Sequence, residues 1–183
     1  MTIALVILDM LNDFVDGTLA NPAAKHIVDP IADLIAKARQ DDGWRVVYAN
    51  DAHLAGDFEF KVFGEHALAG THGAAVIDEL TPSDGDLVVP KRAYSAFTGT
   101  DLAMTCLVHD IDRLVIVGQH TDCCCRHTSY DAFTRGIDVA VVSDATAVFE
   151  PFDPDTTAQR QDAALGYLKT FYAADILSAD QVF

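Results

Sequence analysis

Three consecutive cysteines, Cys123-Cys124-Cys125, stand directly behind Val117-Gly118-Gln119-His120-Thr121-Asp122. That order reads as the end of an apolar strand, a tight turn and the start of a helix. Thr121 or Asp122 can cap the helix, which puts Cys124 in its first turn, where free N–H groups and the positive end of the helix dipole favour an anion. A thiol in that place is expected to ionise below its usual value of about 8.5, and the same N–H groups can cradle an oxyanion. Helical neighbours diverge by about 100°, so only one of the three can face a crevice. We take Cys124 as the reactive thiol, and Cys123 and Cys125 as small buried hydrophobes. Asp9 ends the apolar run Ile3–Leu8. A carboxylate there is costly unless it has a partner or a task, and it can take a thiol proton and later protonate a leaving amine. Capping the following turn suits Asp13 better. Lys91 follows the apolar stretch Leu87–Val89 and Pro90, with Arg92 as the solvent-facing charge. Asp51, His53, Glu59 and His66 form a further set, whose carboxylates and imidazoles suit zinc, manganese or iron(II).

These residues need a scaffold, and the apolar pattern supplies one. Strands are expected over Ile3–Leu8, Arg45–Ala49, Leu87–Val89, Leu114–Val117 and Val139–Val142, with a short one near Ile176-Leu177. Between them, Asn21-Pro22 opens a helical pattern through Ile27, Ile31, Leu34, Ile35 and Ala38. Further helices are expected over Thr100–His109, Thr121–Arg135 and Asp155–Tyr172, the second stopped by Gly136. Alternating strands and helices predict a three-layer αβα domain over residues 1–183, around a mostly parallel sheet of about six strands. Asn50–Gly73 has no clean period and is too long for a plain connection, which marks it as functional. Ligands of such sheets bind beyond the carboxyl ends of the strands. Asp9, Asp51 and His53, Lys91 and the Gly118–Cys125 turn all fall there.

Composition narrows the classes. Twelve Lys+Arg against 28 Asp+Glu leave a formal charge of −16, which opposes binding to phosphate backbones or anionic membranes. No run approaches the roughly 20 apolar residues of a membrane span, and the first residues read as a strand rather than a signal peptide. Adjacent cysteines make poor staples, so the chain reads as reduced and cytoplasmic. Its Asp-rich, Lys-poor surface suggests a salt-loving source, since high salt shortens the Debye length to about 3 Å.

Asp9 after the first strand, Lys91 before Tyr94-Ser95-Ala96-Phe97, and Gly118-x-x-Thr121-Asp122-x-Cys124 resemble, in order, the Asp–Lys–Cys motifs of the isochorismatase-like cysteine hydrolases, which include the nicotinamidases. The resemblance implies their Rossmann-like fold, with Cys124 as nucleophile, Asp9 as base and Lys91 orienting the pair. It implies a non-proline cis peptide at Gln119-His120, and an oxyanion site at the N–H groups of His120 and Cys124. It also implies a divalent metal, zinc in the first place, on Asp51, His53 and His66, with Glu59 preferred to Asp57 as the third ligand. Hydrolysis of nicotinamide to nicotinate and ammonia, in NAD salvage, is the activity it implies. Isochorismatase-type or carbamoyl hydrolysis, and a non-catalytic thiol or metal-binding module, are the competing readings. A small amide is the expected partner, together with further copies of the chain. Phe14 and Tyr94 rank first as pocket aromatics, ahead of Phe58, Phe60, Phe63 and Phe97, while Trp44 reads as packing. His120 and Gln119 are bulkier than the residues usual in that turn, and are expected to narrow the pocket or offer a hydrogen bond.

Overall fold

A computed structural model describes residues 2–150 and 154–183. The chain runs β1 (Thr2–Leu8), α1 (Asn12–Val15), α2 (Val28–Ala38), β2 (Trp44–Asp51), α3 (Phe60–Phe63), β3 (Leu87–Lys91), α4 (Leu102–Val108), β4 (Ile111–Gln119), α5 (Arg126–Thr134), β5 (Asp138–Ala147), α6 (Pro154–Tyr172) and β6 (Asp175–Leu177). The six strands form one sheet in the order β3-β2-β1-β4-β5-β6, and every pairing is parallel.

The β1 sequence explains its central place. Leu5 and Ile7 face one core with Ile31, Leu34 and Ile35 of α2. Ala4, Val6 and Leu8 face the other, with Leu102 and Cys106 of α4, Ala132 of α5 and Leu168 of α6. A strand covered on both faces has no place for a polar residue, so its side chains run apolar without alternation. The expected three-layer architecture is therefore present, and the sheet is wholly parallel. Among the described residues, no helix is long and apolar enough to cross a membrane.

Strand order reverses between β1 and β4, the point where open α/β sheets leave a crevice. Register aligns the strand ends there: Leu8 pairs with Ala49 and with Gly118, and Asp51 pairs with Lys91. Gly118 makes the close approach possible. Its φ is +101°, and a Cβ would lie 2.1 Å from the Leu8 carbonyl oxygen, a distance no side chain tolerates.

Two local expectations fail. Asn21 does not cap a helix: Pro22–Ile27 is a 3₁₀ segment, and α2 begins only at Val28. The fully buried Asn21 amide instead donates to Gln119 Oε1 and the Val148 carbonyl, each at 3.0 Å, and its Oδ1 accepts from Glu150 N–H at 3.1 Å. The turn behind β4 is also not side-chain capped. Thr121–Cys125 forms a π turn leading into α5, preceded by an extended His120.

Candidate active site

Asp9 leaves β1 with a left-handed φ of 55°. Three neighbours hold it there. Its N–H donates to Asn50 Oδ1 at 2.8 Å, its Oδ1 accepts from Asp51 N–H at 2.8 Å, and its carbonyl accepts from Gln119 Nε2 at 3.0 Å. Gln119 is thus spent on bracing the strand ends, while His120 alone of that pair lines the pocket. The Gln119–His120 peptide is cis.

Lys91, the last residue of β3, reaches across beneath β2. Its Nζ donates to Asp51 Oδ1 at 2.6 Å, and lies 2.8 Å from Asp9 Oδ2 and 3.6 Å from Cys124 Sγ. Lys91, Asp9 and Cys124 are 1%, 1% and 4% exposed, so this is a sealed ionic cluster rather than a surface pair. Burial works against the Lys91 charge, but Asp51 and Asp9 outweigh it and hold the ammonium well above its usual range. Burial, then repulsion from Asp51, pushes Asp9 up to about 7 despite Lys91. A carboxylate with that proton affinity is matched to exchange a proton at neutral pH.

The thiol departs from expectation. A hydrogen bond with Cys123, then burial, pushes Cys124 well above the ordinary thiol range, and the pull of Lys91 does not offset them. A thiol raised in this way is served by a base beside it rather than by the helix end alone. Cys125 is wholly buried as expected, but Cys123 is only partly buried and lines the cavity together with Cys124, because the π turn spaces these residues differently from a regular α-helix.

The segment after β2 brings four more residues together. Atoms of Asp51, His53, Glu59 and His66 lie within 4.8 Å of one another. His53 Nε2 lies 3.6 Å from Asp51 Oδ2 and 3.8 Å from Glu59 Oε2, and His66 Nε2 lies 3.8 Å from Glu59 Oε1. Both Nε2 atoms are buried without a hydrogen-bond partner. The opposite ring nitrogens are engaged: His53 Nδ1 meets Asp57 Oδ2 at 3.0 Å, and His66 Nδ1 meets the Gly64 carbonyl at 2.8 Å. With Nδ1 protonated in both rings, both Nε2 lone pairs are free to bind a ligand, as ligating histidines require. Two orphaned imidazole nitrogens between two carboxylates fit a divalent metal. Asp57 stands behind His53, paired with Arg92, rather than in the quartet. Asp13 serves the scaffold: its Oδ2 accepts from Ala67 N–H at 2.7 Å, beside His66, and Gly73 packs so closely that a Cβ would clash with it.

A cavity of about 230 Å³ opens above Cys124. Phe14 and Tyr94 line it, as do Phe63, His120 and Phe149. Phe60 packs against His53 and His66 instead, Trp44 against Phe183, and Phe97 beneath Arg135, while Phe58 is 83% exposed. Phe149, 4.9 Å from His120 between ring centres, is the aromatic that the sequence reading missed. Its signal was its place just past the end of β5, a fifth strand end. Asn50 and Arg160 were also missed as parts of the site, and Asp122, read as a helix cap, instead lines the cavity and pairs with Arg160.

A thiol, a carboxylate and an ammonium gathered at the switch point of a parallel sheet are the equipment of a cysteine hydrolase on an α/β fold, apart from the dinucleotide binders of similar topology. Residues 3–181 match the isochorismatase domain, and the chain belongs to that family. It is similar to N-carbamoylsarcosine amidase from Thermoplasma acidophilum, with 39% identity, coverage of 100% of this chain and 99% of the other, and a TM-score of 0.87. The structure of nicotinamidase/pyrazinamidase from Bacillus subtilis aligns with a TM-score of 0.87 and 30% identity, covering 97% of this chain and 100% of the other. Nicotinamidase/pyrazinamidase of Mycobacterium tuberculosis is 32% identical over 161 residues, 79% of this chain and 86% of that protein. The chain is thus a hydrolase of a family whose named relatives include amidases acting on C–N bonds.

Proposed function

We propose that the chain is a cysteine amidohydrolase acting on nicotinamide. The observation that carries the amidase reading is the sealed contact of Lys91 Nζ with both Asp9 Oδ2, at 2.8 Å, and Cys124 Sγ, at 3.6 Å. Asp9 takes the thiol proton as sulfur attacks the carboxamide carbon. Lys91 stays charged throughout and stabilises the thiolate as it forms. The carbonyl oxygen, now an oxyanion, turns toward the backbone N–H groups of His120 and Cys124. Collapse breaks the C–N bond, and Asp9 returns its proton to the departing ammonia. A water, deprotonated by Asp9, then cleaves the thioester, and nicotinate leaves with Cys124 restored as a thiol.

The choice of nicotinamide rests on the quartet beside the thiol. Asp51, His53, Glu59 and His66 would hold a divalent ion, zinc in our reading, and when bound it supplies a coordination position for the pyridine nitrogen. Phe14 and Tyr94 then confine the ring, with Phe63 and Phe149 completing the walls. A carbamoyl substrate is the second reading, favoured by the 39% identity to N-carbamoylsarcosine amidase. Ammonia release from nicotinamide, benzamide and N-carbamoylsarcosine, with zinc supplied, separates the two. Nicotinamide should be the best substrate, and a Cys124→Ala protein should release nothing. Absence of nicotinamide turnover in zinc-loaded protein would overturn the substrate assignment.

A further inference from the structure

Arg160 of α6 projects over the rim of the catalytic cavity, and is the only lysine or arginine among the described residues that line it. Its charge is already taken. Nη2 donates to Asp122 Oδ2 at 2.7 Å, and Nη1 donates to the Phe149 carbonyl at 2.6 Å. Asp122 lies two residues before Cys124, so the pair joins the nucleophile turn to the wall that carries Phe149. The two side chains are 35% and 28% exposed, which keeps the pair partly shielded from water. Among the other described residues of the lining, Asp9 repels a carboxylate, Asp51 and Glu59 are engaged in the metal quartet, and burial holds the His120 imidazole neutral, down at about 4.

We propose that the Asp122–Arg160 pair is a specificity element that restricts this pocket to uncharged amides and speeds departure of the carboxylate product. The inference rests on the amidohydrolase reading and deepens it. An unpaired guanidinium at this rim would present a fork that matches carboxylates. It would then hold anionic substrates such as N-carbamoyl amino acids, and would retain the acid that hydrolysis creates. With Asp122 on Nη2 and the Phe149 carbonyl on Nη1, an incoming carboxylate must displace an equal charge already in place. Hydrolysis converts a neutral ligand into an anion at the same spot, so the arrangement favours entry before the reaction and exit after it.

The test is calorimetric binding of nicotinamide and nicotinate to the Cys124→Ala protein, two ligands that differ in charge on one ring. This background should prefer the amide. Adding Asp122→Asn, which leaves Arg160 unpaired, should tighten nicotinate and shrink that preference roughly tenfold. Adding Arg160→Gln, which leaves Asp122 unpaired, should widen it. Opposite shifts distinguish charge selection from damage to the wall, which would weaken both ligands in both variants. In protein retaining Cys124, Asp122→Asn should gain turnover of N-carbamoyl amino acids and show stronger inhibition by nicotinate. Equal binding of nicotinate and nicotinamide before either substitution would overturn the proposal, as would shifts of the same sign in both variants. Failure of the amidohydrolase reading is a separate result: no ammonia from any amide, with the binding contrast intact.

Discussion

At the scale of single residues, the proposed mechanism makes the Cys124 thiol and the Asp9 carboxyl, whose polar atoms lie within 4.8 Å, depend on each other. Cys124→Ala is expected to abolish amide turnover, and Cys123→Ala or Cys125→Ala to leave most of it. Equal losses in steady-state assays of all three would refute Cys124 as nucleophile. Asp9→Asn should cost about as much as loss of the thiol, because groups that act as a unit are non-additive. Near-normal turnover in that variant would exclude Asp9 as base. His120 makes a different prediction. Its ring is partly buried, its Nε2 is shut off from solvent without a partner, and its pKa lies at about 4. In the unfolded chain a histidine titrates near about 6.5. The unfolded state therefore takes the proton first as pH falls, and folded stability drops between those two values. Melting curves at neutral and mildly acid pH should show a smaller acid-induced loss for His120→Asn than for the parent protein. Identical losses would mean the imidazole charges freely in the folded state.

At the scale of elements, much of the site was legible because strand ends are legible. An apolar run that stops at Asp9, Asp51 or Lys91 marks both the strand and the residue at its mouth, and a parallel sheet gathers those mouths on one edge. What escaped depends on contacts far apart in sequence. Asn21-Pro22 has the local form of a helix start, but its amide bonds to Gln119 and Val148 across the fold, and the segment winds as 3₁₀ instead. The ionisation of Cys124 was misjudged because the local helix end was weighed without the burial and the Cys123 contact that dominate it. Phe149 and Arg160 come from the β5–α6 side, where the apolar run stops at Val142 but the strand continues through Ser143 and Asp144 to Ala147, so its true mouth was not visible. Two elements can be tested directly. Gly118→Ala should destabilise the fold by more than about 1 kcal/mol and lower activity, since β4 must move from Leu8 to admit the methyl group. An unchanged melting temperature would show that the two strands separate easily. Removal of metal by a chelator, or His53→Ala, should raise KM for nicotinamide far more than for benzamide, which lacks the ring nitrogen. Equal hydrolysis of nicotinamide after complete metal removal would exclude a positioning role for the quartet.

At the scale of the whole molecule, a formal charge of −16 sets the solution behaviour. The cations are few and largely engaged: Lys91 inside the site, Arg160 at its rim, Arg39 with Asp86, Arg92 with Asp57 and Arg113 with Asp175. Many exposed acids form no ion pair among the described residues. Asp29 and Asp33 on α2, Asp41 and Asp42 behind it, and Asp78, Glu79 and Asp84 are all exposed. Salt acts on the two populations with opposite sign, weakening exposed ion pairs and relieving repulsion. Exposed pairs contribute at most about 1 kcal/mol each, and the described ones are fewer than the unpaired acids, so relief should win. The sealed contacts of Lys91 with Asp9 and Asp51 lie beyond the reach of mobile ions and should not change. Raising sodium chloride from about 0.1 M to above about 1 M shortens the Debye length from about 10 Å to about 3 Å, and should raise the melting temperature. Salt also strengthens apolar burial, and a charge-reduced variant isolates screening from that effect. Replacing Asp29, Asp33, Asp41 and Asp42 by Asn should raise stability at low salt and reduce the gain at high salt. If the variant gains as much from salt as the parent, repulsion on this face is not what salt relieves.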